Sequence, residues 1–338
     1  MPAEWKPHAG TWLTWPWRDG CSYPDNYDAM VPAYAKLIRV IAEHERVNIN
    51  VWDAEMEAWV RTLLTKEQTP TTNVAFHHNP SCEPWCRDHG PIFLIRDQAG
   101  RHERAIVDWG YNAWGGKYPP WELDDNVPTR IAEAAGLPLF LPKMILEGGS
   151  IEVNGNGTVL TTESCLLNPN RNPSLNREKI ELHLRDFLGV SNILWLGEGI
   201  AGDDTDGHID DMTRFVNTTT LITAIEEDPS DDNHEPLRDN LNRLRAMRDE
   251  CGNPFRLVTL PMPARRLKWK GNRLPASYAN FYIANGVVVM PTFADANDRR
   301  ALETLQKLFP DRRVVGIDAR EIIVGLGSFH CLTQQEPA

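Results

Sequence analysis

The stretch Ile151-Glu152-Val153-Asn154-Gly155-Asn156-Gly157-Thr158-Val159-Leu160-Thr161-Thr162 reads as two short strands folded about a tight turn. Asn and Gly at its centre tolerate the positive φ that tight hairpins require. Downstream, residues 172–188 place Leu175, Ile180, Leu182, Leu184, Phe187 and Leu188 in a helix-like pattern. A short apolar strand follows, Ile193-Leu194-Trp195-Leu196. The unit is therefore hairpin, helix, strand.

The same unit recurs outward in both directions. Hairpins begin at 91, 151, 213 and 281, spacings of 60, 62 and 68. Helices are predicted over 239–249 and 297–309, each followed by a strand, at 255–260 and 313–317. Residues 10–15, 31–41 and 47–51 supply the fifth unit. A period of about 65 residues gives five units that cannot bury their faces alone and so must stack or close into a ring. The alternative is an ordinary mixed α/β sheet with accidental spacing. No linker or charge block divides the chain, so residues 1–338 are expected to form one domain. The acidic stretch 226–235 is expected to be a surface loop.

The composition narrows the function. The net charge of −12 argues against a nucleic-acid backbone as partner and suits a cationic small molecule. The first residues lack the apolar core of a signal peptide, and no apolar run approaches the ~20 residues that cross a bilayer, so a cytoplasmic protein without membrane contact is expected. Six cysteines, at 21, 82, 86, 165, 251 and 331, fit no zinc pattern and read as mostly reduced thiols. The early tryptophans, Trp5, Trp12, Trp15, Trp17, Trp52, Trp59 and Trp85, are expected in the core or a pocket wall.

Reactive residues recur at one phase of the repeat. Asp88 to Glu147 is 59 residues, Glu147 to His208 is 61, and His208 to Cys331 is 123, about twice the others. Equal phase brings such side chains to one axis. Each has a plainer reading: Asp88 paired with Arg87, Glu147-Gly148-Gly149 as a turn, His208 in a loop, Cys86 as a buried thiol. His330, beside Cys331, is expected on the opposite face of a strand. The loop Asn112-Ala113-Trp114-Gly115-Gly116-Lys117 lacks the P-loop spacing and is expected beside a substrate.

A thiol attacks electrophilic carbon and a histidine moves protons. Asp88, Glu147 and Asp210 together would oppose a thiolate unless a cation lies among them. A guanidinium is such a cation, planar and with forked donors. The residues thus point to an amidine or guanidine hydrolase. Two other readings remain: a metal-dependent hydrolase with His208, Asp210 and Asp88 or Glu147 as ligands, and a non-enzymatic polyamine-binding propeller.

Longer motifs narrow the choice. Met1-Pro2-Ala3-Glu4-Trp5, Trp85-Cys86-Arg87-Asp88-His89-Gly90-Pro91, the 112–118 loop, Glu147-Gly148-Gly149-Ser150, residues 161–172, Gly207-His208-Ile209-Asp210 and His330-Cys331-Leu332-Thr333-Gln334-Gln335 resemble the agmatine deiminase family, close to the bacterial-type peptidylarginine deiminases. The resemblance implies a five-bladed α/β propeller and a cofactor-free, metal-free enzyme that is a homo-oligomer. It implies Cys331 as nucleophile through a covalent amidino-cysteine, and His208 as general acid and base. Asp88 and Asp210 would clamp the guanidinium, Glu147 would orient His208, and Trp85 and Asn280 would line the substrate site. The implied reaction turns agmatine into N-carbamoylputrescine and ammonia, with arginine or peptidylarginine as alternative substrates. Where many members carry Asn after the Gly-His-x-Asp step, this chain has Asp211.

Overall fold

The computed structural model of the chain describes residues 1–98 and 100–338. Five sheets share one strand pattern, in which an antiparallel pair is extended by a parallel strand after a helix crossover. The second blade holds strands Ile92–Gln98, Arg101–Val107 and Leu139–Phe140, with helix Val127–Ala135 before the last. The third holds Glu152–Val153, Thr158–Thr162 and Asn192–Leu196, with helix Arg177–Leu188. The fourth holds Thr213–Asn217, Thr220–Ile225 and Arg256–Pro261, with helix His234–Ala246. The fifth holds Tyr282–Ala284, Val287–Thr292 and Arg313–Asp318, with helix Asp298–Leu308.

The first blade is made differently. Strand His8–Thr14, helix Tyr27–Ala42 and strand Val47–Val51 are followed by helix Ala54–Lys66 and an additional strand, Val74–His78. Its antiparallel partner comes from the far end of the chain, where Thr333–Pro337 pairs with His8–Thr14. Thr333–Pro337 also touches Ile92–Gln98 of the second blade. The fourth blade abuts the third through Thr213–Asn217 and Glu152–Val153, and the fifth through helix Asp298–Leu308. Helix Tyr27–Ala42 packs on the outer strands of the fifth blade. The ring is closed, an α/β propeller of five blades.

Local chemistry explains the elements and their ends. In the third hairpin, Asn154 Oδ1 accepts from the amides of Asn156 and Thr158, while Gly155 and Gly157 take φ of 67° and 111°. The helix predicted from residue 172 starts at Arg177, because Asn176 caps it by accepting from the Lys179 amide, and it ends on Gly189 in the left-handed region. The helix predicted over 239–249 is displaced to His234–Ala246, burying Leu237 and Leu244, and Met247 turns out of it with extended backbone. Apolar stripes of the helices and the strand faces form cores such as Val287, Val288, Val289, Met290, Ala301 and Leu305 in the fifth blade, each 0% exposed.

The axis of the ring is polar. Glu4, buried, accepts from Arg214 Nη2 at 3.0 Å, Arg87 Nη2 at 3.3 Å and the Ile283 amide at 2.8 Å. Arg214 also donates to Glu152 Oε2 at 2.8 Å and to the Phe281 carbonyl at 2.6 Å. Buried charges are tolerated when every one has partners, and here the partners come from four blades and the segment that precedes them.

Candidate active site

Asp88 sits in a one-turn helix, Cys86–His89, just before the second blade. Its Oδ1 accepts from the Gly149 amide at 3.0 Å and its Oδ2 from Trp114 Nε1 at 3.0 Å. Arg87 turns the other way, to Glu4 and to Gln335 Oε1 at 2.8 Å, so the plain pairing of Asp88 with Arg87 is not formed. Gly148–Ser150 make a single 3₁₀ turn that caps the third blade. A Cβ on Gly149 would lie 2.6 Å from His208 Nδ1, 2.7 Å from Asp88 Oδ1 and 3.1 Å from Asp210 Oδ2. These glycines serve space rather than backbone freedom, and three predicted residues converge on one bare Cα.

His208 leads a 3₁₀ turn, Ile209–Asp211, and its amide is held by Asp203 Oδ2 at 3.1 Å and Thr205 Oγ1 at 3.2 Å. Its Nδ1 is 3.7 Å from Asp88 Oδ1 and its Nε2 is 3.9 Å from Glu147 Oε2. Burial alone would strip the ring of its proton, but Asp88, Cys165 and Glu147 around it raise its proton affinity well above the usual histidine range. Burial works against the charge of Glu147 too. Arg171, whose Nε is 2.7 Å from Glu147 Oε1, outweighs it together with His208 and brings the carboxyl down to about 2. Arg171 is itself anchored by the Thr205 carbonyl at 2.8 Å.

Cys331 lies in a short helix, Phe329–Leu332, where the sequence predicted a strand. The helical turn brings His330 and Cys331 to the same carboxylate, Asp210. The Cys331 thiol donates to Asp210 Oδ2 at 3.5 Å, and His330 Nδ1 is 2.7 Å from the same oxygen. Asn280 Nδ2 donates to Cys331 Sγ at 3.0 Å and to Asp211 Oδ1 at 2.9 Å. Asn280 Oδ1 accepts from the amides of His330 and Cys331. Asp211 thus faces the sulfur's neighbour instead of solvent. Burial, then Asp210, Asp211 and Asp88, push the Cys331 thiol well above the ordinary cysteine range. Burial pushes Asp88 up to about 6, with Asp210 and Glu147 adding to it against His208. Burial opposes ionisation of Asp210, but His330 and His208 hold it below the ordinary range.

Above these groups opens a cleft with a cavity volume of about 90 Å³. Cys331 and Asp88 reach its wall, with Trp85, Trp114, Tyr118, Glu83 and Asp204. His208, Glu147, Asp210 and Asn280 lie one layer deeper, each 0% exposed. Trp85 is fixed by its Nε1 bond to Ser22 Oγ at 2.7 Å and by the bare Gly327, whose Cβ would be 2.5 Å from the indole. Cys86 is wholly buried and burial holds its thiol at about 12, so the plain reading of that cysteine stands. The metal reading fares less well. Among the described residues, the groups with ligand atoms within 4.8 Å of one another are Glu147–Cys165–His208 and Asp210–Asp211–Cys331, neither of which is the predicted set. The first is already matched in charge by Arg171.

Residues 1–337 match the family model of the Porphyromonas-type peptidyl-arginine deiminases. The chain belongs to this family. Agmatine deiminase of Ectopseudomonas mendocina is 37% identical over 364 residues, spanning 100% of this chain and 95% of that protein. The agmatine deiminase of Medicago truncatula is 36% identical over 372 residues, spanning 100% and 96%. The solved agmatine deiminase of Enterococcus faecalis superposes with a TM-score of 0.92 at 35% identity, over 100% of this chain and 95% of that one. The ring into which the five repeated units close is thus shared with a solved relative, as the resemblance implied. Several members of the site were not legible as such: Arg171 behind Glu147, Trp114 on Asp88, Cys165 beside His208, and Glu4 and His330 behind Asp210. Each announces itself only through partners distant in sequence. No described helix is long and apolar enough to cross a membrane.

Proposed function

We propose that this protein, acting as one catalytic domain, hydrolyses the guanidinium of agmatine to N-carbamoylputrescine and ammonia. The observation that carries the reading is the charge of the cleft. Its lining holds Asp88, Glu83 and Asp204 with the Cys331 thiol, and no Lys or Arg among the described residues. A substrate with a cation at each end fits such a wall. An α-carboxylate, as in free arginine, would face acids with nothing to receive it.

In the free enzyme three carboxylates and burial favour the thiol over the thiolate. A guanidinium settling against Asp88 and Asp210 reverses that balance, and its forked donors meet acceptor-only oxygens. The thiol loses its proton to solvent in the cleft, and Cys331 Sγ then attacks the central carbon. The tetrahedral adduct collapses as His208 protonates the departing nitrogen, which leaves as ammonia. The amidino-thioether is next attacked by water, from which His208 takes the proton. Collapse breaks the C–S bond, returns the thiol and leaves the ureido product. Glu147, pinned by Arg171, keeps His208 in place through both halves. Asn280 steadies the sulfur, and Trp85 walls the flat head of the substrate.

The family resemblance supports a homo-oligomeric, cytoplasmic enzyme that uses neither metal nor organic cofactor; light scattering, fractionation and activity in chelator test these points. The deciding experiment is a parallel ammonia assay with agmatine, free arginine and a blocked arginine peptide. Agmatine is expected to be turned over with by far the highest kcat/KM. A preference for either of the others would refute the reading.

A further inference from the structure

His330 stands between two carboxylates. Its Nδ1 is 2.7 Å from Asp210 Oδ2 and its Nε2 is 2.7 Å from Glu4 Oε2, with all three side chains buried. The imidazole thus bridges two carboxylates, one at each ring nitrogen. Glu4 cannot swing, because Arg214, the Ile283 amide and Arg87 hold it from two blades and the helix before a third. The main chain of His330 is fixed as well, since Asn280 Oδ1 takes its amide at 3.0 Å. The result is that one oxygen of Asp210 is committed to His330, while the other, Oδ1, is buried and has no partner among the described residues. The neighbouring Asp211 lies close enough to repel Asp210 if that commitment were released.

We infer that Glu4 and His330 are positioning residues that fix the rotation of Asp210, so that its Oδ1 is presented to the guanidinium. The inference rests on the proposed guanidinium site. Glu4 thereby links the segment before the first strand to the reacting centre through a single imidazole. This role differs from that of the axial ion cluster, to which Glu4 also belongs, in being transmitted through Asp210.

That property gives the test, run on the full-length Cys331→Ala protein, which is expected to bind agmatine without turnover. Agmatine affinity is measured by calorimetry in this background with Glu4→Gln, His330→Gln and Asp210→Asn, singly and paired. Glu4→Gln and His330→Gln should each weaken binding about tenfold, and either one combined with Asp210→Asn should be no worse than Asp210→Asn alone within about twofold. In the enzyme with Cys331 intact, both substitutions should raise KM. Losses that multiply with that of Asp210→Asn would show a general structural role and overturn the inference. So would unchanged affinity in both single variants. Should Glu4→Gln fail to fold, His330→Gln reads the same coupling from the other end. If the Cys331→Ala parent does not bind agmatine at all, the proposed function itself fails; if it binds and only the coupling is missing, the positioning role fails alone.

Discussion

The Gly149 amide donates to Asp88 Oδ1 at 3.0 Å, while the missing Cβ of Gly149 leaves room for His208 Nδ1 and for the same Asp88 oxygen. One residue therefore both fixes the carboxylate and lets the imidazole approach it. Gly149→Ala should push His208 and Asp88 apart. Misplacement by about 1 Å costs on the order of 10²-fold in rate, so kcat/KM for agmatine should fall by about that factor. The melting temperature should change far less than activity. A variant within a few-fold of the parent would show that the contact is unimportant.

Asp88 sets an acid limit. Its carboxyl is held at about 6 in the free enzyme, and only the ionised form pairs with a guanidinium. A profile of kcat/KM against pH should be level above about 6 and fall roughly tenfold per unit below it. The sign for stability is the reverse of the usual carboxylate case. Because the folded value lies above the ordinary 3.8, ionising Asp88 costs stability as pH rises through about 6. An acid limb near 4 would place some other group in control.

Cys331 should be a sluggish thiol until a cation arrives. Iodoacetamide at neutral pH should label the free enzyme at Cys331 slowly, and faster as pH rises, because burial and three acids disfavour the thiolate. Mass spectrometry of the labelled peptide reads the rate. Cys331→Ala should abolish ammonia release while agmatine still binds.

Arg171→Met tests the support behind Glu147. Removing one partner of a buried ion pair costs about 3–5 kcal/mol, so the variant should be destabilised by that order at pH 7, as chemical denaturation would register. The folded carboxyl of Glu147 is depressed to about 2 from 4.5. Its stabilisation is present above 4.5 and is lost as pH falls from there towards 2. The gap between variant and parent should narrow over the same interval. A gap that does not depend on pH would mean that Arg171 acts through another contact.

Asp204 lies in the cleft wall and accepts from the Tyr118 hydroxyl. Under the agmatine reading, Asp204→Asn should raise KM by roughly three- to tenfold with little change in kcat, the value of a part-exposed charge contact. An unaltered KM would move recognition of the distal ammonium elsewhere, with Glu83 the next residue to substitute.

Much of this arrangement was legible in the chain. The hairpins, the period and the common phase of Asp88, Glu147, His208 and Cys331 follow from local patterns, and the turn chemistry at Asn154–Gly157 is of the same kind. The strand Thr333–Pro337 was not recognised, because Thr-Gln-Gln-Glu-Pro shows no apolar alternation. It is buried nonetheless, since its neighbours at the axis are polar and Gln335 is satisfied by Arg87. The two-residue strand Leu139–Phe140 is too short to leave a periodic trace. Glu4 and His330 meet across 326 positions of chain, a distance over which no local pattern reports. Nothing in the sequence of residues 329–332 signals a helical turn, and a strand there would put His330 on the face away from Cys331.

The strand that completes the first blade begins two residues after the sulfur. A nascent polypeptide whose synthesis has not passed that point already carries every acid of the cleft, yet has neither the thiol in place nor the ring sealed. Reactivity is thereby tied to the pairing of Thr333–Pro337 with His8–Thr14, which seals the ring beside the sulfur.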